Sequence, residues 1–273
     1  MKATCQDLLA EYRELAALAA TLTPAQWREP SAFHDWSAWD EIAHLCYFDQ
    51  TALQAATDPQ AFLRGAQTLN TLMAGGGHIS AVARETYGHL DGPGLLAYWL
   101  PLYERLVQTL AALDPKARLP WYGPPMSARS FATARLMETW AHGQDVWDTV
   151  GRARAPTARL KHIAHIGATT YGWTFVNRGE PVPGPAPYIV LSAPDGSKWT
   201  WNEPQADNHV RGSAEDFCLL VTQRRHLDDT RLAYSAGPAR QWLAQAQCFA
   251  GPPATGPAAG TRVLDGSRSA PAA

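Results

Sequence analysis

The sequence predicts an α+β protein, with a four-helix bundle over residues 1–152, a smaller α+β domain over 153–255 and a tail over 256–273. Three observations carry this reading. Through the first 150 positions apolar residues recur at three- and four-residue spacing, the period of a helix face. The first convincing strand pattern, with a Pro-Asp-Gly-Ser turn at its centre, comes only at 188–201. From Gly256 onward Ala, Gly, Pro and Ser dominate, leaving too little apolar material to offset the entropy of ordering, so mobility is expected there.

The elements follow in order. Leu8, Leu9, Tyr12, Leu15, Ala16 and Ala19 form one apolar stripe, predicting a first helix. Ser37, with Asp40 three residues later, resembles a capping box and opens a second helix running to about 56. Asp58-Pro59 restarts a short helix towards 73, Gly75, Gly76 and Gly77 break it in a loop expected to be mobile, and 78–89 is helical again. A long apolar helix runs from Gly92-Pro93 to 113, where Asp114-Pro115 stops it because proline lacks the N–H a helix interior needs. Residues 118–126 read as an irregular connection, after which Ser127 or Ser130 caps a helix over 131–150 closed by Gly151. Beyond it one helix is predicted over 156–177, then a hairpin of strands 188–193 and 198–201. Ser213 with Asp216 caps another helix through Val221, and Pro238 opens a last one ending at Gly251.

Composition excludes several function classes. With 23 Lys+Arg against 25 Asp+Glu the net charge is −2, which leaves no electrostatic footprint for nucleic acid or an anionic membrane. No window approaches the ~18 uninterrupted apolar residues a bilayer span needs. The N-terminus turns helical and acidic too early for a signal peptide, so a cytoplasmic protein is expected, as monomer or homodimer. Cys5, Cys46, Cys218 and Cys248 form no C-x-x-C pair and read as buried free thiols.

The most informative segment is ARLMETWAHGQD at 134–145. On a helix Glu138 and His142 are four apart and Asp145 three further on, so all three project from one face. A carboxylate and an imidazole so placed supply two legs of a metal site, and His44 in the second helix is the natural third. Two histidines and a carboxylate would leave positions open for water or substrate, as catalytic sites do. By spacing alone Glu138 and His142 read first as a solvated i,i+4 pair, and His44 as a satisfied core histidine; the metal site comes second to these. Asp145 and Asp40 are the nearest candidates to take the other ring N–H of a ligating imidazole, and both also read as capping or surface carboxylates. Arg135 either holds Glu138, meets an anionic substrate or makes a surface ion pair. Seven of the 11 tryptophans lie in the first 150 residues, and core packing is their expected role over a pocket wall. Arg224, Arg225 and His226 form a cluster able to hold an anionic group or simply finish a helix.

WSAWDEIAH at 36–44 with Phe48, LPWYGPPMS at 119–127 and ARLMETWAHGQD at 134–145 resemble the DinB-like metal-binding superfamily. The likeness is to its branch around mycothiol-dependent maleylpyruvate isomerase, and GSAEDFCLLVTQRRH at 212–226 is similar to the C-terminal domain of an actinobacterial subgroup. The resemblance implies a bundle holding a divalent metal, with His44, Glu138 and His142 as ligands. Zinc is the expected ion, with nickel, iron or manganese accepted by the same donors.

The expected function is a metal-dependent enzyme acting on a small organic molecule. The resemblance implies a thiol-dependent isomerase or S-transferase using a low-molecular-weight thiol. Asp145 and Arg135 are then the candidate catalytic residues, and Arg224 and Arg225 the candidate binders of an anionic group of substrate or thiol. A metal-dependent hydrolase, with metal-bound hydroxide as nucleophile and Asp145 or Glu41 carrying the proton, is one alternative. A non-catalytic small-molecule binder with a Trp-lined cavity is the other. The second domain is expected to pack near the metal.

Overall fold

The computed structural model describes residues 1–262; the rest of the predicted tail, from 263 onward, lies outside the described residues. The protein is α+β and divides into two compact units, Met1–Val150 and a second beginning at Gly151. No helix among the described residues is long and apolar enough to cross a membrane.

In the first unit α1 (Lys2–Ala19), α2 (Ala38–Thr57), α5 (Gly92–Ala112) and α6 (Ala128–Thr149) form the bundle, α1 and α2 each packing on both α5 and α6. The short α3 (Pro59–Ala74) and α4 (Ile79–Tyr87) lie against α2. Between them Gly75 caps α3, and Gly76 takes a left-handed φ of 84° that an L side chain rarely adopts. Buried Leu8, Tyr12 and Leu15 carry the α1 stripe; α6, passing through the middle of the unit, buries residues on almost every side. The connection expected to be irregular instead closes a short antiparallel ribbon, β1 (Arg118–Leu119) with β2 (Met126–Ser127), that delivers the chain to α6.

Two capping arrangements set where α2 and α6 begin. Ser37 and Asp40 form a reciprocal capping box at α2, and Ser127 caps α6 by accepting from the Ser130 N–H. Arg84 of α4 donates to both Asp40 oxygens, at 2.7 and 3.0 Å. Burial pushes the Asp40 carboxyl up, but the hydrogen bonds from Arg84 and Ser37 outweigh it and hold it below the ordinary carboxylate range.

One buried polar cluster joins all four bundle helices. Asp49 of α2, fully buried, accepts from Tyr12 Oη of α1 at 2.5 Å, Trp99 Nε1 of α5 at 2.8 Å and Arg135 Nε of α6 at 2.9 Å. Burial alone would pull the Arg135 guanidinium down, yet Asp49 overrides it and raises it above its ordinary value. Burial likewise raises Tyr12, which keeps its proton to donate.

In the second unit the predicted helix over 156–177 is two pieces, α7 (Leu160–Thr169) and α8 (Tyr171–Val176). The hydroxyls of Thr169 and Thr170 turn back onto the carbonyls of His165, Ile166 and Gly167, competing with the backbone ladder at the break. β3 (Tyr188–Ser192) and β4 (Lys198–Trp201) make the hairpin. β5 (His209–Ser213) runs parallel to β3, and β6 (Ala233–Tyr234) completes the order β4-β3-β5-β6. α9 (Ala214–Val221) starts from the Ser213 cap, and α10 (Pro238–Leu243) ends well before Gly251. All four cysteines are buried and stand outside any disulfide. The first residues of the expected tail are held to this unit: the Gly260 N–H bonds the Asp229 carboxylate.

Two outcomes are expected. Asp49→Asn leaves a buried guanidinium without its counter-charge and should lower unfolding stability by about 3–5 kcal/mol in urea titration. Asp40→Asn should cost about 1 kcal/mol at neutral pH. Because Asp40 titrates lower in the folded chain than unfolded, its contribution is complete above the ordinary carboxylate range. The difference between the two proteins should therefore shrink as pH falls through the depressed value.

Candidate metal centre

α2 and α6 bring the predicted ligands together. One donor atom each from His44, Glu138 and His142 lies within 4.8 Å of the other two. His142 Nε2 is 3.3 Å from Glu138 Oε2. An ion bound tetrahedrally at about 2.1 Å keeps neighbouring ligand atoms about 3.4 Å apart. The His142–Glu138 pair has this spacing and His44 lies within 4.8 Å of both, so two imidazoles and a carboxylate form a donor set suited to a divalent transition ion. His142 is buried while His44 and Glu138 are half-buried, so one side of the group meets solvent.

The other nitrogen of His142 faces inward. Nδ1 is 2.7 Å from Oε2 of Glu41, whose side chain is wholly buried, and Ser31 Oγ reaches the second Glu41 oxygen at 3.5 Å. A carboxylate on Nδ1 selects the tautomer that carries its proton there and leaves the Nε2 lone pair for an ion. Sequence reasoning assigned this place to Asp145, which is buried and has an oxygen within 4.8 Å of the Glu41 and His142 atoms. Asp40, expected beside His44, belongs to the capping box and to Arg84. Arg135, expected on Glu138, on a substrate anion or in a surface pair, makes a buried ion pair with Asp49 instead. Glu41 entered the sequence reading only as a proton carrier. The signal for its orienting role was there: three residues before His44, it shares that histidine's side of α2.

Aromatic rings enclose the two imidazoles. Trp36 lies 5.2 Å from the His44 ring and, nearly parallel at 14°, 5.9 Å from His142. Phe33 meets the His142 ring edge-on at 5.6 Å, and Phe48 lies 4.7 Å from His44. Phe48 continues the wall to Trp121 and Tyr122, and Trp121 stacks on Phe62 at 5.6 Å.

In the second unit Arg224 and Arg225 follow α9 and are both buried. Arg224 Nη1 donates to the Thr222 carbonyl, and Arg225 Nη1 to that of Arg224. Burial and Asp216 push Glu215 above its ordinary value, against the pull of Arg225 and Arg154. Nearby in sequence, Asp229 accepts from the Gly260 N–H and Asp228 lies 3.6 Å from His226.

Known proteins bear on this geometry. Residues 8–147 match the family described as the mycothiol maleylpyruvate isomerase N-terminal domain. Two Mycobacterium tuberculosis proteins, from strains CDC 1551 and H37Rv and both described as uncharacterized, are 41% identical over 251 residues, covering 92% of this chain and 96% of theirs. Among solved structures, the crystal structure of the mycothiol-dependent maleylpyruvate isomerase matches with a TM-score of 0.51 at 17% identity, over 80% of this chain and 87% of that one. A histidine-to-alanine mutant of the same enzyme matches with the same TM-score at 16% identity, and at such identities the likeness speaks for the fold alone.

Proposed function

The chain belongs to the mycothiol maleylpyruvate isomerase N-terminal domain family, and from that premise we propose that it is a metal-dependent enzyme of thiol-linked chemistry, an isomerase or S-transferase acting on a small organic molecule. The observation that carries the reading is His142, with Nδ1 on buried Glu41 and Nε2 beside Glu138 and within reach of His44. His44, Glu138 and His142 would hold the ion, zinc in the first place. When bound, a divalent ion of this kind lowers the pKa of a thiol or water and polarises a substrate carbonyl.

The chain's own residues then have separate tasks. Glu41 orients His142, and Ser31 steadies Glu41. Asp145, buried beside them, is the candidate to hold a proton during the reaction. Arg135 contributes by fixing α6 through Asp49. Arg224 and Arg225 are the candidates to bind an anionic group of the substrate or of the low-molecular-weight thiol, since guanidinium groups suit carboxylates.

The test begins with metal content. Purified protein reconstituted with zinc should retain about one ion per chain after dialysis. His142→Ala should lose the ion while circular dichroism shows unchanged helix content, because packing forms the bundle. Zinc retained equally by native and variant protein, or by neither, overturns the assignment. Glu41→Gln should keep the fold and weaken zinc binding by about 10–100-fold, measured by competition with a chelator. Turnover that requires an added thiol separates this reading from hydrolysis.

A further inference from the structure

We infer that the site takes a substrate whose oxygen donor meets the ion and whose flat apolar group, aryl or conjugated, lies against Trp36 and Phe48. This rests on the metal reading above and names the substrate class of that same site.

The first ground is burial. Core aromatics of this bundle, Trp99, Tyr12, Tyr103 and Phe131, are at most 2% exposed. Phe33, Trp36 and Phe48 are only half-buried, although each lies within 6 Å of a ligand imidazole. Their exposed faces stand beside the donor group, where a ligand could cover them. Glu138 and His44 are half-buried too, so solvent reaches the donor group where these rings stand.

The second ground is how Trp36 is held. The loop before α2 closes on itself: the Ser31 N–H bonds the Trp36 carbonyl at 2.8 Å, the Trp36 N–H bonds the Phe33 carbonyl at 2.9 Å, and Pro30 bridges to Ser37. At its tip His34 and Asp35 have φ of 51° and 57°, two consecutive non-glycine residues in the left-handed region. Asp and His enter this region more readily than most side chains, which lets the loop close tightly. The loop so closed carries Phe33 and Trp36 against the His142 ring.

The third ground is the chemistry of the wall. It continues from Phe48 to Trp121 and Tyr122 and is backed by the Phe62 stack, so the rings cannot simply fold away. An aromatic wall gives a ligand apolar area and ring-to-ring geometry but no counter-charge. Arg135, the nearest cation in sequence to the ligands on α6, is committed to Asp49. The part of the substrate adjoining the ion is therefore matched by a flat uncharged group, and a bulky non-planar one would gain area without the stacking.

Three hydroxamates share one oxygen-donor head and differ only in the group beside it. Calorimetric titration of zinc-loaded full-length protein with acetohydroxamate, cyclohexanecarbohydroxamate and benzohydroxamate should show benzohydroxamate binding best, about tenfold or more tighter than acetohydroxamate. Trp36→Leu and Phe48→Leu keep apolar volume and remove a ring face. Each should retain zinc and acetohydroxamate affinity and lose most of the benzohydroxamate advantage. Equal affinity for the phenyl and methyl probes, a cyclohexyl probe as tight as the phenyl one, or an advantage that survives in both variants overturns the inference. Protein that holds no zinc overturns the metal reading and this inference with it; zinc-loaded protein that ranks the probes otherwise overturns this inference alone.

Discussion

The first unit is organised around the Asp49 carboxylate. A charge fully withdrawn from water is costly to bury, and replacing a buried ion pair by apolar residues is often neutral or stabilising. Stability alone is thus a weak reason for its presence. What Asp49 does provide is a shared point of register: Tyr12, Trp99 and Arg135 come from α1, α5 and α6, and all three meet its carboxylate at hydrogen-bond distance. His44 lies five residues before Asp49 on α2, and His142 seven residues, about 10.5 Å of helix, beyond Arg135 on α6. A slip of α6 against α2 would break the ion pair and separate the donor atoms together.

On that frame the two nitrogens of His142 are given opposite surroundings. Nδ1 meets Glu41, sealed in the interior, while Nε2 meets Glu138, which water reaches. The inner carboxylate therefore feels a lower dielectric than the outer one and holds the ring more firmly. The outer one would be left to share its charge with an ion held there. The aromatic rings against both imidazoles hinder rotation that would exchange these roles.

What the sequence disclosed follows from how far apart the interacting residues lie. Glu138 and His142 were legible because four residues on a helix is a fixed spatial relation, and His44 because the WSAWDEIAH segment carries the family's pattern. Glu41 was harder to place, since an acidic residue in the first turn of α2 is already explained by the helix dipole and by the neighbouring capping box. Asp49 and its partners are separated by 37, 50 and 86 positions, and no local pattern couples them. Arg135 was for that reason read against Glu138, its neighbour in sequence. In the second unit the hairpin announced itself through its turn, whereas β5, with Arg211 and Gly212 in its span, and the two-residue β6 lack a strand's apolar alternation. The tryptophans were ambiguous for another reason: core and pocket wall use the same residue type, and only exposure separates Trp99 from Trp36.

Preorganisation is where these features meet. In a zinc finger the ion supplies the folding energy, because the ligands are unconstrained without it. Here the contacts that place the donors involve no ion: Asp49 sets the helices, Glu41 sets the ring of His142, the capping box starts α2 three residues before Glu41 and its loop lays Trp36 across both imidazoles. Little of an ion's binding energy would then go into ordering the chain. A site built in advance from three donors, with one carboxylate facing water, can leave coordination positions open to exchanging ligands. That is the arrangement catalysis requires of a metal centre and a structural site avoids.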